Sequence, residues 1–505
     1  MQKAVILETA RIVRSPDTQM SAAAVYEMST DDAIETIIGR FGRYQTWIWI
    51  LIAIGRAPTD YQLSNVVFLL PNVEYVCMDD NAHNKTNHCP CENPIYDQTY
   101  IENSVTTTWN LICDKSHYAS LAQSMLQIGI LGGSLFYGHL SDRYGRRLAC
   151  LVALFSEVLF VALSAIASKL WMFIALRFFI GTAVGGTMLC CFVILIELSG
   201  KSFRPYVTCL SEVSYLISYF TLPIIAYFLR DWRKLQMATS LPWIFVIFYY
   251  NLIPESPRWL ITKGKTVEAI EILTRIARRN GRPTESIRDI VENINEEAVA
   301  RNEHDSYLNL FKTPKIRLYT LIQAYVWLCC AHTFFGINQY IGRLQGNLYL
   351  NVMLSAASLA PGLILIVIAC VYLQRRVTIV TSFVVSGVSL LVFIIIPSNM
   401  KSLELAFAII GQIGAYTAFC QIYLYSTEIF PTIIRNSAMG FASVFARLGG
   451  FIAPFVVNIR VEWISILVFS TLALLAASLF YFLPETKDVV LLNTIEQTEK
   501  SKTKI

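Results

Sequence analysis

Charge is what this sequence has least of. Of 505 residues, 15% are Asp, Glu, Lys or Arg, against about 25% in an ordinary soluble domain, and that deficit argues against a water-borne globule. Chemical machinery is scarce too. No His, Cys and carboxylate group has metal-ligand spacing, and neither a nucleophile elbow nor paired catalytic carboxylates are present. Gly200-Lys201-Ser202 looks like the end of a phosphate-binding loop. Leu195, however, stands where that loop needs glycine, and no strand precedes it. No cofactor, no metal and no enzymatic activity are therefore expected. The net charge of +5 is modest and its basic residues fall mostly between apolar runs, so no nucleic acid is expected as a partner. Residues 1–43 are polar and lack a secretory apolar core, so the first apolar run is expected to act as both signal and anchor.

What is abundant is apolar sequence, at 55% of the chain. Six apolar runs fall at 44–70, 119–137, 148–168, 170–196, 206–229 and 235–253, and six more at 316–337, 345–373, 377–397, 403–427, 437–459 and 464–483. Each is close to the ~20 residues that cross a bilayer as a helix. The expected fold is an all-α membrane protein of twelve spans in two six-helix halves. Gly138–Arg147 is a polar knot between the second and third runs, and Arg143, Arg146 and Arg147 place it in the cytoplasm. Twelve spans then put both termini in the cytoplasm and residues 71–117 outside. Arg230–Lys234 falls outside, against the charge rule. The expected plan is a cytoplasmic segment 1–43, a first half 44–253, a cytoplasmic linker 254–315, a second half 316–483 and a cytoplasmic tail 484–505. Within the linker, Ala269–Arg279 has apolar residues at helical spacing with basic ones between, an amphipathic surface helix. The first run is interrupted by Arg56, Pro58 and Asp60.

The outer loop holds Cys77, Cys89, Cys91 and Cys113 beside the sequon Asn84-Lys85-Thr86. A glycosylation acceptor among clustered cysteines points to an oxidising exterior and to disulfides. Four cysteines allow three pairings, and all three stay open. The other eight cysteines lie in apolar runs, where a thiol behaves as a small hydrophobe.

The halves repeat. One offset separates Glu197 from Glu428 and Arg204 from Arg435, and nearly the same offset separates Glu255 from Glu485. The Gly138–Arg147 knot has only a partial echo at Gln374-Arg375-Arg376. With Gly138-x-x-x-Asp142-Arg143-x-Gly145-Arg146-Arg147 and Arg177-Phe-Phe-Ile-Gly181, the chain resembles the major facilitator superfamily. Asp231-Trp-Arg233, Pro254-Glu-Ser-Pro-Arg-Trp-Leu-Ile261, Tyr423-Leu-Tyr-Ser-Thr-Glu428-Ile-Phe-Pro-Thr-Ile-Ile-Arg435-Asn436 and Leu483-Pro-Glu-Thr-Lys487, with the large outer loop, resemble the organic ion carriers of solute carrier family 22. The resemblance implies two halves rocking around a mid-membrane site, so that the site opens to each side in turn. It also implies a charge network that latches the inner ends. Asp142, Arg143, Arg146, Arg147, Glu197, Arg204, Glu255, Arg258, Glu428 and Arg435 are the candidates, with the first half expected to carry most of the latch.

A charge inside a span costs at least about 2.5–3.5 kcal/mol on insertion scales, so it tends to be functional. Arg56, Glu212 and Arg447 qualify, with His332 as a titratable neighbour. The resembled cation carriers have Asp where Arg447 stands, whereas the anion and carnitine-type carriers have Arg. Glu212 and Arg447 together would suit a zwitterion. Around them Gln123, Gln127, Phe192, Tyr215, Tyr219, Trp327, Phe334, Phe335, Tyr340, Tyr349, Gln412 and Tyr416 supply aromatic faces and amides for cations and varied acceptors. The expected function is polyspecific transport, across the plasma membrane, of small organic ions: cations, or carnitine- and betaine-like zwitterions. A coupling ion or counter-substrate is left open, and membrane lipid is the other partner. Organic anion exchange is the alternative, followed by a sugar porter or a non-transporting receptor on the same fold.

Overall fold

The computed structural model describes residues 30–78, 86–298, 307–397, 400–431, 434–459, 461–487 and 495–500, so Asn84 lies outside the described residues. The helices in order are α1 (Thr30–Ile38), α2 (Arg43–Gly55), α3 (Ala57–Ser64), α4 (Val66–Leu69), α5 (Val105–Thr108), α6 (Ser116–Tyr144), α7 (Arg146–Ala165), α8 (Leu170–Glu197), α9 (Arg204–Phe228), α10 (Trp232–Ala238), α11 (Tyr249–Leu252), α12 (Pro257–Thr262), α13 (Thr266–Arg279), α14 (Ile287–Ala298), α15 (Pro314–Ile341), α16 (Leu348–Tyr372), α17 (Arg375–Ile395), α18 (Lys401–Ile429), α19 (Arg435–Val457), α20 (Glu462–Tyr481) and α21 (Ile495–Lys500). Strands β1 (Tyr75–Cys77) and β2 (Pro94–Tyr96) lie between α4 and α5.

Among the described residues, ten helices (α6 to α9 and α15 to α20) are long and apolar enough to cross a membrane. The first and sixth expected runs are the two broken ones. The first is divided among α2, α3 and α4. Pro58 has no N–H, which frees the Ile54 carbonyl, and Trp243 Nε1 donates to that carbonyl at 2.6 Å. Ser214 Oγ donates to the Ala53 carbonyl at 3.0 Å and Tyr249 OH to the Leu51 carbonyl at 2.9 Å. Backbone groups at a break in an apolar span need such partners, because hydrocarbon offers none. The sixth run is α10, a 3-10 stretch Leu241–Phe248 with Pro242 at its start, and α11.

Helices α6 and α8 meet through glycines. A Cβ on Gly129 would sit 2.2 Å from the Phe178 carbonyl oxygen, and one on Gly181 would sit 2.2 Å from that of Leu126. Gly133 and Gly185 extend the same contact at the spacing that brings membrane helices together.

The chain divides into two compact units. One holds residues 1–46, 197–204 and 256–301, the other 47–196, 205–255 and 302–505. In the first, α1 packs against α13 and α14, burying Ile34, Ile37 and Ile38, with Leu273, Ile276 and Ala277 on the inner face of α13. Asn280 ties this unit together. It accepts from Tyr44 N at 3.0 Å and donates to the Ile38 carbonyl at 2.9 Å and to Gln45 Oε1 at 2.8 Å.

The second unit contains the ten long helices and both broken spans. Its two halves touch along α6 and α19. Ser120 and Ser124 hydroxyls donate to the Pro454 and Phe451 carbonyls at 3.2 and 2.7 Å, and Asn458 Nδ2 donates to Ser120 Oγ. Beside this contact lies the cysteine loop. β1 and β2 pair antiparallel, with Tyr75 opposite Tyr96. The bridges are Cys77–Cys91 and Cys89–Cys113, one of the three open pairings. The loop is anchored to α10, where Trp232 Nε1 donates to Thr108 Oγ1 at 3.1 Å and Asn103 Nδ2 to Asp231 Oδ2 at 3.0 Å.

Candidate functional site

Mid-length on α9, α15 and α18, side chains of both halves converge. Tyr416 OH donates to Glu212 Oε2 at 3.2 Å, joining α18 to α9. An aromatic chain runs from there. Tyr219 stacks on Tyr215 at 5.8 Å, Tyr215 meets Phe334 at 6.4 Å, and Phe334 packs on Tyr416 at 5.9 Å and stacks on Phe419 at 5.6 Å. Phe419 meets Tyr423 at 5.5 Å, and Tyr423 meets Trp327 edge-on at 4.3 Å. Trp327 is fixed by its Nε1, which donates to Ser426 Oγ at 2.9 Å. Arg447 acts electrostatically on Tyr423, is 9% exposed, and its buried Nε has no hydrogen-bond partner. An acid and a base thus flank one aromatic chain. Among the described residues no ion pair joins Glu212 to Arg447; the cation acting on Glu212 is Arg56.

Towards the disulfide loop the halves close over this cluster. Tyr219 OH meets Ser355 Oγ at 2.9 Å, Ser355 Oγ donates to Gln412 Oε1 at 2.7 Å, and Gln412 Nε2 donates to Asn338 Oδ1. Gln123, Tyr219, Asn338 and Gly450 help to line a cavity of about 10 Å³, room for about one water.

Other expected site residues lie elsewhere. Gln127 is buried beside Gly450 with its Oε1 unpartnered. Tyr349 is at the loop end, where it donates to the Tyr100 carbonyl and stacks on Phe68 at 5.8 Å. Tyr340 packs on Phe393, away from the acid and base. Phe192 is partly exposed on α8 and joins no ring contact among the described residues. His332 Nδ1 contacts the Gly449 carbonyl at 3.1 Å, two residues from Arg447.

Four buried polar residues near the site were not among the in-span candidates. Arg177 donates to Gln62 Oε1 at 3.1 Å and to Gln123 Oε1 at 2.8 Å. Asp60 pairs with Arg56 at 2.9 Å and accepts from Ser214 at 2.8 Å. Glu157 is buried on α7, and Gln236 links Gln62, Asn65 and Ser164. A lone Glu or Arg in an apolar run was the available signal for Glu157 and Arg177, and Asp60 was visible as an interruption of the first run.

The expected latch residues form local clusters. Helix α6 is 29 residues long and spans about 43 Å, so Gly145 is at the end remote from the disulfide loop. Gly145 has φ 111° and ψ 155°, a backbone region open only to glycine. There Arg146 Nη1 pairs with Asp142 at 2.6 Å, Glu255 Oε1 accepts from the amides of Arg146 and Arg147 at 2.8 and 3.1 Å, and Arg147 lies 4.4 Å over the Tyr250 ring. Arg143 lies over Tyr144. The second half repeats the arrangement: Glu485 accepts from the amides of Arg375 and Arg376 at 2.8 and 3.0 Å. Each glutamate occupies a helix N-terminus, where amides and dipole favour an anion. The Gln374–Arg376 echo thus repeats the glutamate cap on the backbone amides, but not the Asp142–Arg146 pair or the positive-φ glycine of the Gly138–Arg147 knot. Glu428 lies 3.6 Å from Arg375 Nε and accepts from Thr486 at 2.6 Å. Arg435 has Nε and Nη2 buried without hydrogen-bond partners. In the other unit, Arg258 Nε donates to the Glu197 carbonyl at 3.0 Å, and burial pushes this guanidinium down to about 10. Arg204 is lowered by burial, against the pull of Glu197 and Glu35.

A twelve-span bundle of duplicated halves with a polar and aromatic centre is a major facilitator carrier. The fold superposes on the inward-open xylose transporter XylE of E. coli with a TM-score of 0.65 at 17% identity, covering 90% of this chain and 99% of that one. The sugar (and other) transporter family model matches residues 60–497. Solute carrier family 22 member 3 of Rattus norvegicus is 33% identical, covering 81% of this chain and 74% of its own. Organic cation/carnitine transporter 2 of Homo sapiens is 30% identical, covering 80% and 73%. The chain belongs to the sugar (and other) transporter family of the major facilitator superfamily and, within it, to solute carrier family 22. It is an organic ion transporter and not an enzyme.

Proposed function

We propose that this chain carries small zwitterions and cations, carnitine- or betaine-like, across the plasma membrane by alternating access, with both termini in the cytoplasm. The observation that carries this reading is the aromatic chain from Glu212 and Tyr416 to Arg447. A quaternary ammonium gains about 0.5–2 kcal/mol from each aromatic face it meets, and Glu212 adds the opposite charge. A substrate carboxylate would take the Arg447 guanidinium, whose Nε now lacks a partner. The name of the human relative, organic cation/carnitine transporter 2, supports the same class. The glutamate-capped clusters at Arg146–Arg147 and Arg375–Arg376 serve as the inner latch, together with Asp142, Arg143, Glu428 and Arg435 of the same unit, and Glu197, Arg204 and Arg258 of the other unit are assigned to the same role.

The test is saturable uptake of labelled L-carnitine, tetraethylammonium and p-aminohippurate by cells expressing the chain. Glu212→Gln should raise the KM for L-carnitine and tetraethylammonium about tenfold, the equivalent of ~1.4 kcal/mol. Arg447→Asp should abolish L-carnitine uptake while tetraethylammonium uptake persists. Undiminished L-carnitine uptake by Arg447→Asp would sink the proposal. The unpartnered Arg447 Nε also favours a second reading, organic anion exchange, marked by p-aminohippurate uptake that depends on Arg447 and not on Glu212.

A further inference from the structure

We propose that Glu157 is a proton-binding group and that the chain couples substrate movement to a proton. The inference rests on the chain being a carrier and not on which organic ion it carries. Glu157 is 1% exposed, within α7. Its Oε2 accepts from Thr59 Oγ1 at 2.6 Å and from Thr187 Oγ1 at 3.0 Å, while its buried Oε1 has no hydrogen-bond partner. Among the described residues no Lys, Arg or His pairs with it. The nearest guanidinium, Arg56, is taken by Asp60 at 2.9 Å, and Ser214 fills the other Asp60 oxygen. Arg56 is thus the one cation acting on Asp60, Glu157 and Glu212, in a region where an uncompensated charge is expensive. A proton on Glu157 removes one of the uncompensated charges, and the uncharged acid keeps both threonine contacts.

The group is also placed to give that proton up. Thr59 lies just past the break at Arg56 and Pro58, on a stretch whose freed carbonyls are held by side chains of other elements rather than by its own helix. Movement of the first span relative to α7 and α8 breaks the Thr59 contact and repositions Arg56 between Asp60 and Glu157. Arg56 also acts electrostatically on Glu212, which links the proton to the central cluster. The titratable groups that act on Glu157 are Asp60 and Arg56 from the first span and Tyr137 from α6. From α8 it meets Thr187. The thiols of Cys150 and Cys191, 3.5 Å apart, and Tyr249 of α11 lie about two turns away along α7. In the cycle, Glu157 takes a proton from water on one side and releases it to water on the other, with no other bond made or broken.

Infrared spectra of the purified full chain in lipid nanodiscs, taken through a pH titration, test the first half. The wild type should show a carboxylic-acid carbonyl band at neutral pH that is lost in Glu157→Gln and kept in Asp97→Asn. Thr187→Val, which keeps the carboxyl but removes one donor to its charged form, should move the midpoint of that band to higher pH. An unchanged band in Glu157→Gln overturns the proposal. Proteoliposomes with an imposed pH gradient test the second half. Wild-type L-carnitine uptake should rise several-fold when the proton gradient runs in the direction of uptake, and Glu157→Gln should take up L-carnitine at a rate indifferent to the gradient. Gradient stimulation that survives in Glu157→Gln overturns the coupling. A Glu157 band without any L-carnitine uptake supports the proton site and counts against the substrate reading alone.

Discussion

A guanidinium and a carboxylate one helical turn apart, both buried in a membrane span, are stable only together. Arg56 is 7% exposed and Asp60 fully buried. Breaking such a pair from one side leaves an uncompensated charge and costs about 3–5 kcal/mol, whereas replacing both partners with apolar residues is often near neutral. Arg56→Met should therefore lower the thermal unfolding midpoint of the detergent-solubilised protein sharply, and Arg56→Met with Asp60→Leu should restore most of it. Equal losses in the single and double variants would mean the pair adds nothing beyond its packing. The same scale shows where sequence reading runs out. Arg56, Glu212 and Arg447 stand out as charges in apolar runs. Glu157 is a lone acid in an equally apolar run, but its two threonine partners, from α3 and α8, are not legible in the sequence. Arg177 is legible as part of a family motif, but its grip on Gln62 and Gln123 is not, because helices far apart in sequence supply the amides.

Elements were far more legible, since a run of some twenty apolar residues has few other fates in a chain this poor in charge. Ten runs became unbroken helices, nine of them within about four residues of expectation, while α6 continues past the expected end at 137 through most of the polar knot to Tyr144. The sixth run does not form a single helix: α10 ends at Ala238 and a 3-10 stretch with Pro242 at its start follows, whereas Pro223, Pro361 and Pro454 lie inside unbroken helices. The disulfide pairing was closed to sequence, as it depends on how β1 and β2 lie against α5 and the start of α6. The α6–α8 crossing gives a sharp prediction at this scale. A Cβ on Gly133 would come within 2.0 Å of the Thr182 carbonyl oxygen, while one on Gly132 meets nothing within 4 Å. Gly133→Ala should prevent surface expression, whereas Gly132→Ala should be tolerated and gain up to about 1 kcal/mol of helix propensity. Normal expression of Gly133→Ala would show that the two helices can part. In the unit outside the spans, burial pushes the Glu35 carboxyl up, and the hydroxyl and amide of Ser202 more than offset this, leaving it below the usual carboxylate range. A lowered carboxyl stabilises above its unfolded value and stops doing so as pH falls through its folded one. Hydrogen exchange of α1 should thus be steady above about pH 5, speed up below about pH 4, and lose that step in Glu35→Gln.

For the whole molecule, the repeat matters more than any one motif. Glu255 and Glu485 cap the N-termini of α7 and α17 in the same way, although the residues around them differ. If these caps stiffen the inner ends of the two halves equally, Glu255→Gln and Glu485→Gln should each slow kcat for every substrate without changing their order of preference. At the opposite end the halves are held by Ser120, Ser124 and Asn458 against α19 and α6. Alternating access requires that seam to part in each cycle. Cysteines at Ser120 and Asn458, whose side chains touch, can be bridged by a short bis-methanethiosulfonate reagent. Bridging should abolish uptake, and reduction should restore it. Wild-type protein treated identically shows whether the reagents act through the native disulfides or the buried thiols. Full uptake by the bridged protein would mean that the substrate enters without the halves separating along α6 and α19, and the rocking of two six-helix halves would have to be replaced by a smaller local motion.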